Sequence, residues 1–518
     1  MMNKAGKWSL ITLAIGVFMG ALDNGIVTSS LTTLIHTFGV SPSWGAWIIT
    51  IYTLGLAISV PIIGKLSDRY GRRLLFLIEI GLFGVGSLLV ALSPNFSLLL
   101  LSRFIQAMGG GGIFILASSY ILNTFPKEKQ GRALGMIGGM NGIASIIGPN
   151  LGSFILNLTG SWHWLFIINI PIAIVLMIMG GKTIKEEQER VHTRLDIPGI
   201  LVLSCASLSL MYGLTQLKGA SASFLLFIVI GAALLALFIY IEKHAGAKGI
   251  EPVLPIELLK NRTYRWTLLL AACSGAILAS VIFIPSYVEQ FLGIDSKMAG
   301  YWFTPLAIAS GIGAGGGGAL IDRKGPTFSL TISCLLAILG FVLFPIWVTT
   351  TWQMVIASSL VGIGFGSMLG APINILATEN SKDNKGVALA GASLLRQMGM
   401  TIAPTIYAGF LTRSFEQFGN DLQSNAQKAG IQLQPGSMSQ LPQTMDAATL
   451  KNAISQIPVP QIRELVQQTL HETVGRGFNG LFLSAMTVAI IMLASVFIVR
   501  ALRNKDKENK ADPMPVSQ

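Results

Sequence analysis

The sequence predicts an all-α integral membrane protein made of two six-helix bundles with two further helices inserted between them, fourteen transmembrane helices in all. Three observations predict it. The 518 residues are 52% hydrophobic and only 12% charged, with a mean hydropathy of +0.64, a composition foreign to soluble domains of this length. Apolar runs of roughly 20 residues, the length that crosses a bilayer, recur about fourteen times. An eight-residue phrase also occurs twice: Gly64-Lys65-Leu66-Ser67-Asp68-Arg69-Tyr70-Gly71 returns as Gly318-Ala319-Leu320-Ile321-Asp322-Arg323-Lys324-Gly325. The copies start 254 residues apart (318 minus 64), and Gly131-Arg132-Ala133-Leu134 recurs 255 residues on as Gly386-Val387-Ala388-Leu389, as does Gly148-Pro149 as Ala403-Pro404. The chain therefore reads as two related membrane halves with extra material between them.

The predicted helices centre near residues 20, 54, 83, 109, 144, 172, 207, 231, 277, 309, 338, 364, 398 and 489. The first six form a bundle over residues 1–185. Residues 186–260 hold the two inserted helices and a linker, where Asp196 suits an N-terminal cap and Pro198 a first turn. Residues 261–500 form the second bundle, and residues 501–518 a cytoplasmic tail. One long extracellular loop, residues 412–477, interrupts the second bundle. The spacing of Phe415, Phe418 and Leu422 suggests a helical continuation at its start, and Ile462, Leu465, Val466, Thr469, Leu470, Thr473 and Val474 have helical spacing too, so short amphipathic helices packed on the outer face are expected.

Loops rich in Lys and Arg stay in the cytoplasm, and about 27 of the 36 basic residues fall inside when both termini are cytoplasmic. The +12 net charge follows from that bias and does not point to nucleic acid. Cys205, Cys273 and Cys334 sit in different apolar runs, and five scattered histidines offer no ligand spacing, so neither a disulfide nor a metal is expected. No P-loop and no paired nucleophile and base is present, which argues against an ATP-driven pump and an enzyme. No cofactor is expected.

Ionisable residues at membrane depth are the candidates for chemistry. Asp23 lies near the middle of its apolar run, where a carboxylate costs about 2.5 to 3.5 kcal/mol. Low-dielectric surroundings disfavour its charged form, so it can take a proton from one side and release it when a cation or water arrives. Arg103 lies about six residues inside the fourth helix, roughly 9 Å, and Asp23 comes out some 8 Å from the same face of a core about 30 Å thick. The two match in depth, and an Asp23–Arg103 link, direct or through water, would tune proton release. Gln106 is an alternative acceptor for the arginine. Glu79, near 8 Å from the cytoplasmic edge, fits either snorkelling or a proton relay. Asn141, Gln106, Arg396 and Glu289 are candidates for the substrate path, and Arg396 needs an acceptor such as Gln397, a carbonyl or an anionic substrate group.

The glycines of the repeated phrase permit a tight turn. Asp68 can accept hydrogen bonds from the first turn of a nearby helix or pair with Arg69, Arg72 or Arg73, so Gly64, Asp68, Arg69, Gly71, Arg72, Asp322 and Arg323 form a candidate conformational latch. Gly109 to Gly112, then Gly148, Pro149 and Gly152, let backbones approach closely and let the fifth helix bend.

Together these residues resemble the major facilitator superfamily, specifically its fourteen-helix drug:proton antiporter branch. Gly64 to Arg73 is similar to the family's loop motif, Arg103-Phe104-Ile105-Gln106 to its fourth-helix motif, and Gly148-Pro149-Asn150-Leu151-Gly152 to its fifth-helix antiporter motif, with Ser153 in place of the usual second glycine. Trp162-His163-Trp164 and Asn169-Ile170-Pro171 resemble the sixth-helix signature, with His163 where Arg is common. The resemblance implies the major facilitator fold and proton-coupled export of amphipathic drugs or toxic small molecules across a bacterial cytoplasmic membrane. It further implies Asp23 and Arg103 in proton coupling, Asp68 in the latch and the fifth helix in exchange. The expected partners are such a substrate, protons and the lipid bilayer, with the chain a monomer. Export of a specific metabolite or lipid-like compound is the alternative, followed by a channel or sensor.

Overall fold

The computed structural model describes residues 4–40, 42–45, 47–185, 194–215, 222–245, 250–251, 256–294, 300–369, 371–379, 381, 385–428 and 459–511. The first half comprises α1 (Lys4–Phe38), α2 (Trp47–Tyr70), α3 (Arg72–Ala91), α4 (Phe96–Thr124), α5 (Lys127–Thr159) and α6 (Trp164–Thr183). The inserted pair is α7 (Ile197–Thr215) and α8 (Ala222–Ala245). The second half comprises α9 (Arg262–Gln290), α10 (Thr304–Lys324), α11 (Pro326–Ile346), α12 (Thr351–Thr378), α13 (Lys385–Lys428) and α14 (Pro460–Ala511). Each half buries its own core: Phe76, Phe83 and Leu116 in the first, Phe341, Phe344 and Phe482 in the second. Outer faces carry Leu82, Val85 and Leu89 on α3 and Ile174 and Ile178 on α6, exposed apolar surface that suits hydrocarbon and not water.

Among the described residues, eleven helices are long and apolar enough to cross a membrane, and up to twelve when a bent pair counts as one span. The expected fourteen is not reached. In α7 the apolar stretch is the shorter Ile197–Gly213, and α13 carries Arg396 and Gln397 at depth before turning polar. The bent pair is α5, which turns by 42° between Lys127–Ser145 and Ile147–Thr159. Pro149 has no amide to offer the Ser145 carbonyl one turn earlier, which accounts for the bend's position. An unforeseen element is a parallel bridge between Arg194–Leu195 and Ile250–Glu251, which ties together the segments flanking α7 and α8.

The inserted pair packs beside the main bundle. Met211 of α7 lies against Leu54 and Ala57 of α2, and the Thr401 hydroxyl of α13 reaches the Met211 sulfur at 3.7 Å, so α7 covers a seam between the halves. Its first turn is capped by Asp196, whose Oδ1 accepts from the Gly199 amide at 2.9 Å.

The expected loop at 412–477 is corrected. Helix α13 runs on to Lys428, the continuation that Phe415, Phe418 and Leu422 suggest, whereas α14 already begins at Pro460, so the spacing from Ile462 to Val474 belongs to a long helix and not to a separate short one. Phe418, Leu422, Val466 and Val474 are buried in this coil-like pair, and Arg476 meets Asp421 at 2.8 Å. The intervening residues 429–458, with Pro442 and Pro458, lie outside the described residues. The tail is likewise helical to Ala511.

Candidate functional site

Asp23, Ser87, Arg103, Gln106 and Asn169 are drawn from α1, α3, α4 and α6, and all are fully buried. Arg103 Nη1 donates to Asp23 Oδ2 at 2.7 Å and also to Gln106 Oε1. Gln106 Nε2 donates to Asp23 Oδ1 at 2.9 Å and to Ser87 Oγ at 2.8 Å, while Asn169 Nδ2 reaches Asp23 Oδ1 at 3.2 Å. The link expected between Asp23 and Arg103, direct or through water, is made directly, with both carboxylate oxygens occupied. Among the described residues Arg103 Nε and Nη2 lack hydrogen bonds, but the guanidinium carbon sits 4.2 Å from the centroid of the Tyr52 ring, whose negative face offsets part of that loss. Removing one member of such a buried pair strands the other charge, which costs about 3 to 5 kcal/mol.

Glu79 occupies a separate position, also fully buried, and does not snorkel. Its Oε2 accepts from the Gly112 amide at 2.7 Å, where α4 breaks between Gly110 and Ile113. The break leaves orphan amides, and the carboxylate satisfies one. Among the described residues the other oxygen has no hydrogen-bond partner, and Ser59 donates to the Met108 carbonyl at 2.8 Å.

Beside these groups, between the two halves, lies a cavity of about 250 Å³. Its wall includes Tyr52, Phe114 and Asn141 from the first half and Arg396, Gln397 and Thr401 from the second. Asn141 and Arg396 stand 255 positions apart (396 minus 141), the offset that relates the halves. Of the substrate-path candidates, Asn141 and Arg396 reach this wall. Gln106 is instead sealed into the Asp23 cluster, and Glu289, half-buried at the end of α9, is not on the wall. Aromatic residues scatter: Tyr287 stacks within the second core, and Trp302 lines a different, lipid-side groove.

At the end of the bundle that carries the repeated phrase, the halves are joined by two crossed clamps. Asp68 accepts from the Gly386 and Val387 amides at 3.1 and 3.2 Å, which start α13. Asp322 accepts from the Gly131 and Arg132 amides at 2.8 and 3.1 Å, near the start of α5. Each copy of the phrase therefore holds the landmark of the opposite half. A helix N-terminus favours a carboxylate, and the glycines make the approach possible: a Cβ on Gly64 would lie 2.9 Å from the Gly386 oxygen, and one on Gly131 would lie 2.6 Å from the Gly318 oxygen. The terminal glycines Gly71 and Gly325 take φ of 88° and 86°, which other residues rarely adopt. Arg72 pairs with Asp68 at 2.8 Å and with Ser119, whereas Arg132 stands 3.8 Å from Asp322 and is mostly exposed. Among the described residues Arg69 lies over Tyr70 and Arg323 is exposed, so neither joins a clamp.

Asp23's helix is bound to the bend of α5. A Cβ on Gly25 would lie 2.8 Å from the Gly148 Cα, and one on Gly148 would lie 2.9 Å from the Leu22 oxygen. Two sequence-predicted elements, Asp23 and the Gly148-Pro149 motif, thus share one seam; Gly152 lies one turn beyond. Sequence reasoning missed Ser87 and the role of Asn169, and it saw Gly131 and Gly386 as landmarks without a function. Their signal was weak: a lone serine in an apolar run and a repeated glycine.

The chain is similar to known proteins over most of its length. Residues 13–404 match the family model of the Major Facilitator Superfamily. The chain is 50% identical over 510 residues to the uncharacterized MFS-type transporter YfiU of Bacillus subtilis, covering 97% of this chain and 98% of that one. It is 31% identical over 430 residues to multidrug resistance protein 3 of the same organism, covering 80% and 81%. Among solved structures it superposes on the E. coli fucose:proton symporter FucP with a TM-score of 0.58 at 16% identity, covering 94% of this chain and 98% of that one. The chain belongs to the Major Facilitator Superfamily and is a multi-pass membrane transporter, not an enzyme.

Proposed function

We propose that the protein is a proton-coupled antiporter that exports amphipathic drugs or toxic small molecules across the cytoplasmic membrane by alternating access, with fourteen transmembrane helices and both termini inside. The observation that carries this reading is the fully buried Asp23–Arg103–Gln106 cluster beside a cavity between two halves that are clamped at one end. The named activity of multidrug resistance protein 3, at 31% identity, supports the substrate class. In this reading the clamped end is the cytoplasmic gate, shut.

Protonation of Asp23 removes the charge that holds Arg103 Nη1 and loosens α1 from α4. The Gly25–Gly148 contact passes that change to the bend of α5, whose first turns carry the Asp322 clamp. Magnitudes decide how much coupling is needed. A proton moving inward contributes about 2.3 kcal/mol per 100 mV, while switching a population from 1:99 to 99:1 takes about 5.5 kcal/mol. One proton does not suffice unless its binding also relaxes the buried pair. In everted vesicles Asp23→Asn is expected to fold and bind substrate but to lose movement driven by the pH gradient. Gradient-driven transport at the wild-type rate in that variant would remove Asp23 from the mechanism.

A further inference from the structure

Among the described residues no carboxylate lies on the cavity wall. Asp23 is held by Arg103, Gln106 and Asn169, and Glu79 by the Gly112 amide behind the wall. Arg396 differs: only 9% exposed, it is the one charged side chain on the cavity wall among the described residues. No hydrogen bond or ion pair reaches its guanidinium among those residues, its Nε is buried without a partner, and its guanidinium carbon lies 5.8 Å from the centroid of the Phe114 ring. Across the pseudo-twofold relation stands neutral Asn141, so the charge is not part of the shared scaffold.

A buried cation without a counter-ion is costly unless something supplies one. A wall that sets apolar side chains such as Ile113, Phe114 and Leu278 beside a single fork-shaped cation matches an amphiphile carrying a sulfonate, carboxylate or phosphate group, which a guanidinium can bind with two parallel hydrogen bonds. We propose that the exported substrates are anionic amphiphiles whose acidic group docks on Arg396, with the apolar body against Phe114 and its neighbours. This rests on the export reading and names the substrate class of the same site. It runs against a cationic-drug specificity, since a cation in this cavity would meet Arg396 with no carboxylate on the wall, among the described residues, to offset it. Export of a monoanion against an entering proton moves two charges in the direction the membrane potential favours, so a potential alone should drive it.

The test uses the full chain in lipid nanodiscs and three naphthalene probes of permanent charge state: a sulfonate, a trimethylammonium and a methoxy derivative. Wild-type protein should bind the sulfonate tightest. Arg396→Gln should weaken the sulfonate by about tenfold or more, Arg396→Lys by less, and both should leave the methoxy probe unchanged, which also reports that the variants are folded. Undiminished sulfonate binding by Arg396→Gln, or tightest binding of the trimethylammonium probe, would overturn the proposal. Everted vesicles separate the two readings. Proton flux elicited by the cation and not by the sulfonate leaves the exporter standing and sinks the anionic class, whereas flux from none of the probes, with no binding, counts against both.

Discussion

The two halves share one backbone plan and differ in how they treat a buried charge. In the first, Arg103 is neutralised by Asp23 and framed by Gln106 and Tyr52; its counterpart 255 positions on is Ser358, which donates to the Val355 carbonyl of its own helix. In the second, Arg396 faces the cavity with no acid, and its counterpart is Asn141. The clamps diverge in the same sense, Asp68 backed by Arg72 and Asp322 attended only by an exposed Arg132. The lesson is that duplication supplied the crossed clamp twice, while each half's buried arginine stands where the other half has a neutral residue.

The sharpest way to break that contrast is to strip one arginine of its partner and remove the other. Asp23→Ala strands Arg103 and is expected to lower stability by about 3 to 5 kcal/mol, recovered largely by the double variant Asp23→Ala/Arg103→Met. Arg396→Met should instead be neutral or stabilising by about 1 kcal/mol, because it removes a buried charge that has no ion pair. Thermal unfolding in one detergent measures both, and an equal loss from the two changes would mean that Arg396 is structurally paired after all.

Next in size are the glycines of the crossed clamps. A methyl at Gly386 would lie 2.6 Å from Ser67 Oγ and 2.8 Å from Asp68 Oδ2; one at Gly131 would lie 2.6 Å from the Gly318 oxygen. Overpacking of this kind costs about 1 to 3 kcal/mol. Gly386→Ala and Gly131→Ala should therefore open the gate to similar degrees, read as faster amide hydrogen exchange over residues 385–389 and 131–134. Exchange unchanged in both would place the gate elsewhere.

Smaller still is the difference between the acids. Asp68→Asn gives up a charge that accepts two amide hydrogen bonds and a near-buried ion pair, whereas Asp322→Asn gives up two such bonds and a pair at 3.8 Å with a side chain 63% exposed. Exposed pairs contribute about 0 to 1 kcal/mol, so the first variant should accelerate exchange about fivefold more than the second, and Arg132→Gln should scarcely change it. Equal effects would show that Arg72 adds nothing to the first clamp.

Much of this was readable in one dimension. Apolar run length reports membrane crossing because hydrocarbon admits little else, and a carboxylate in mid-run is conspicuous because its insertion is costly. The matching depth of Asp23 and Arg103 followed from rise per residue along two helices. Less readable was any contact set by how helices rotate against one another. Nothing in the spacing of Gln106 distinguishes a cavity wall from a sealed cluster, and the loop at 412–477 looked interrupted because helical periodicity does not say where one helix stops and the next begins.

By itself, then, the sequence determined that this is a duplicated membrane protein with a few costly charges at depth, since composition, run length and the repeat are properties of the chain alone. Tertiary structure decided which charges meet. It joined Asp23 to Arg103, left Arg396 facing a cavity, and crossed each copy of the repeated phrase onto the glycine landmark of the other half. Those outcomes depend on the relative rotation and approach of helices distant in the chain, which steric fit and amide geometry govern and linear spacing does not encode.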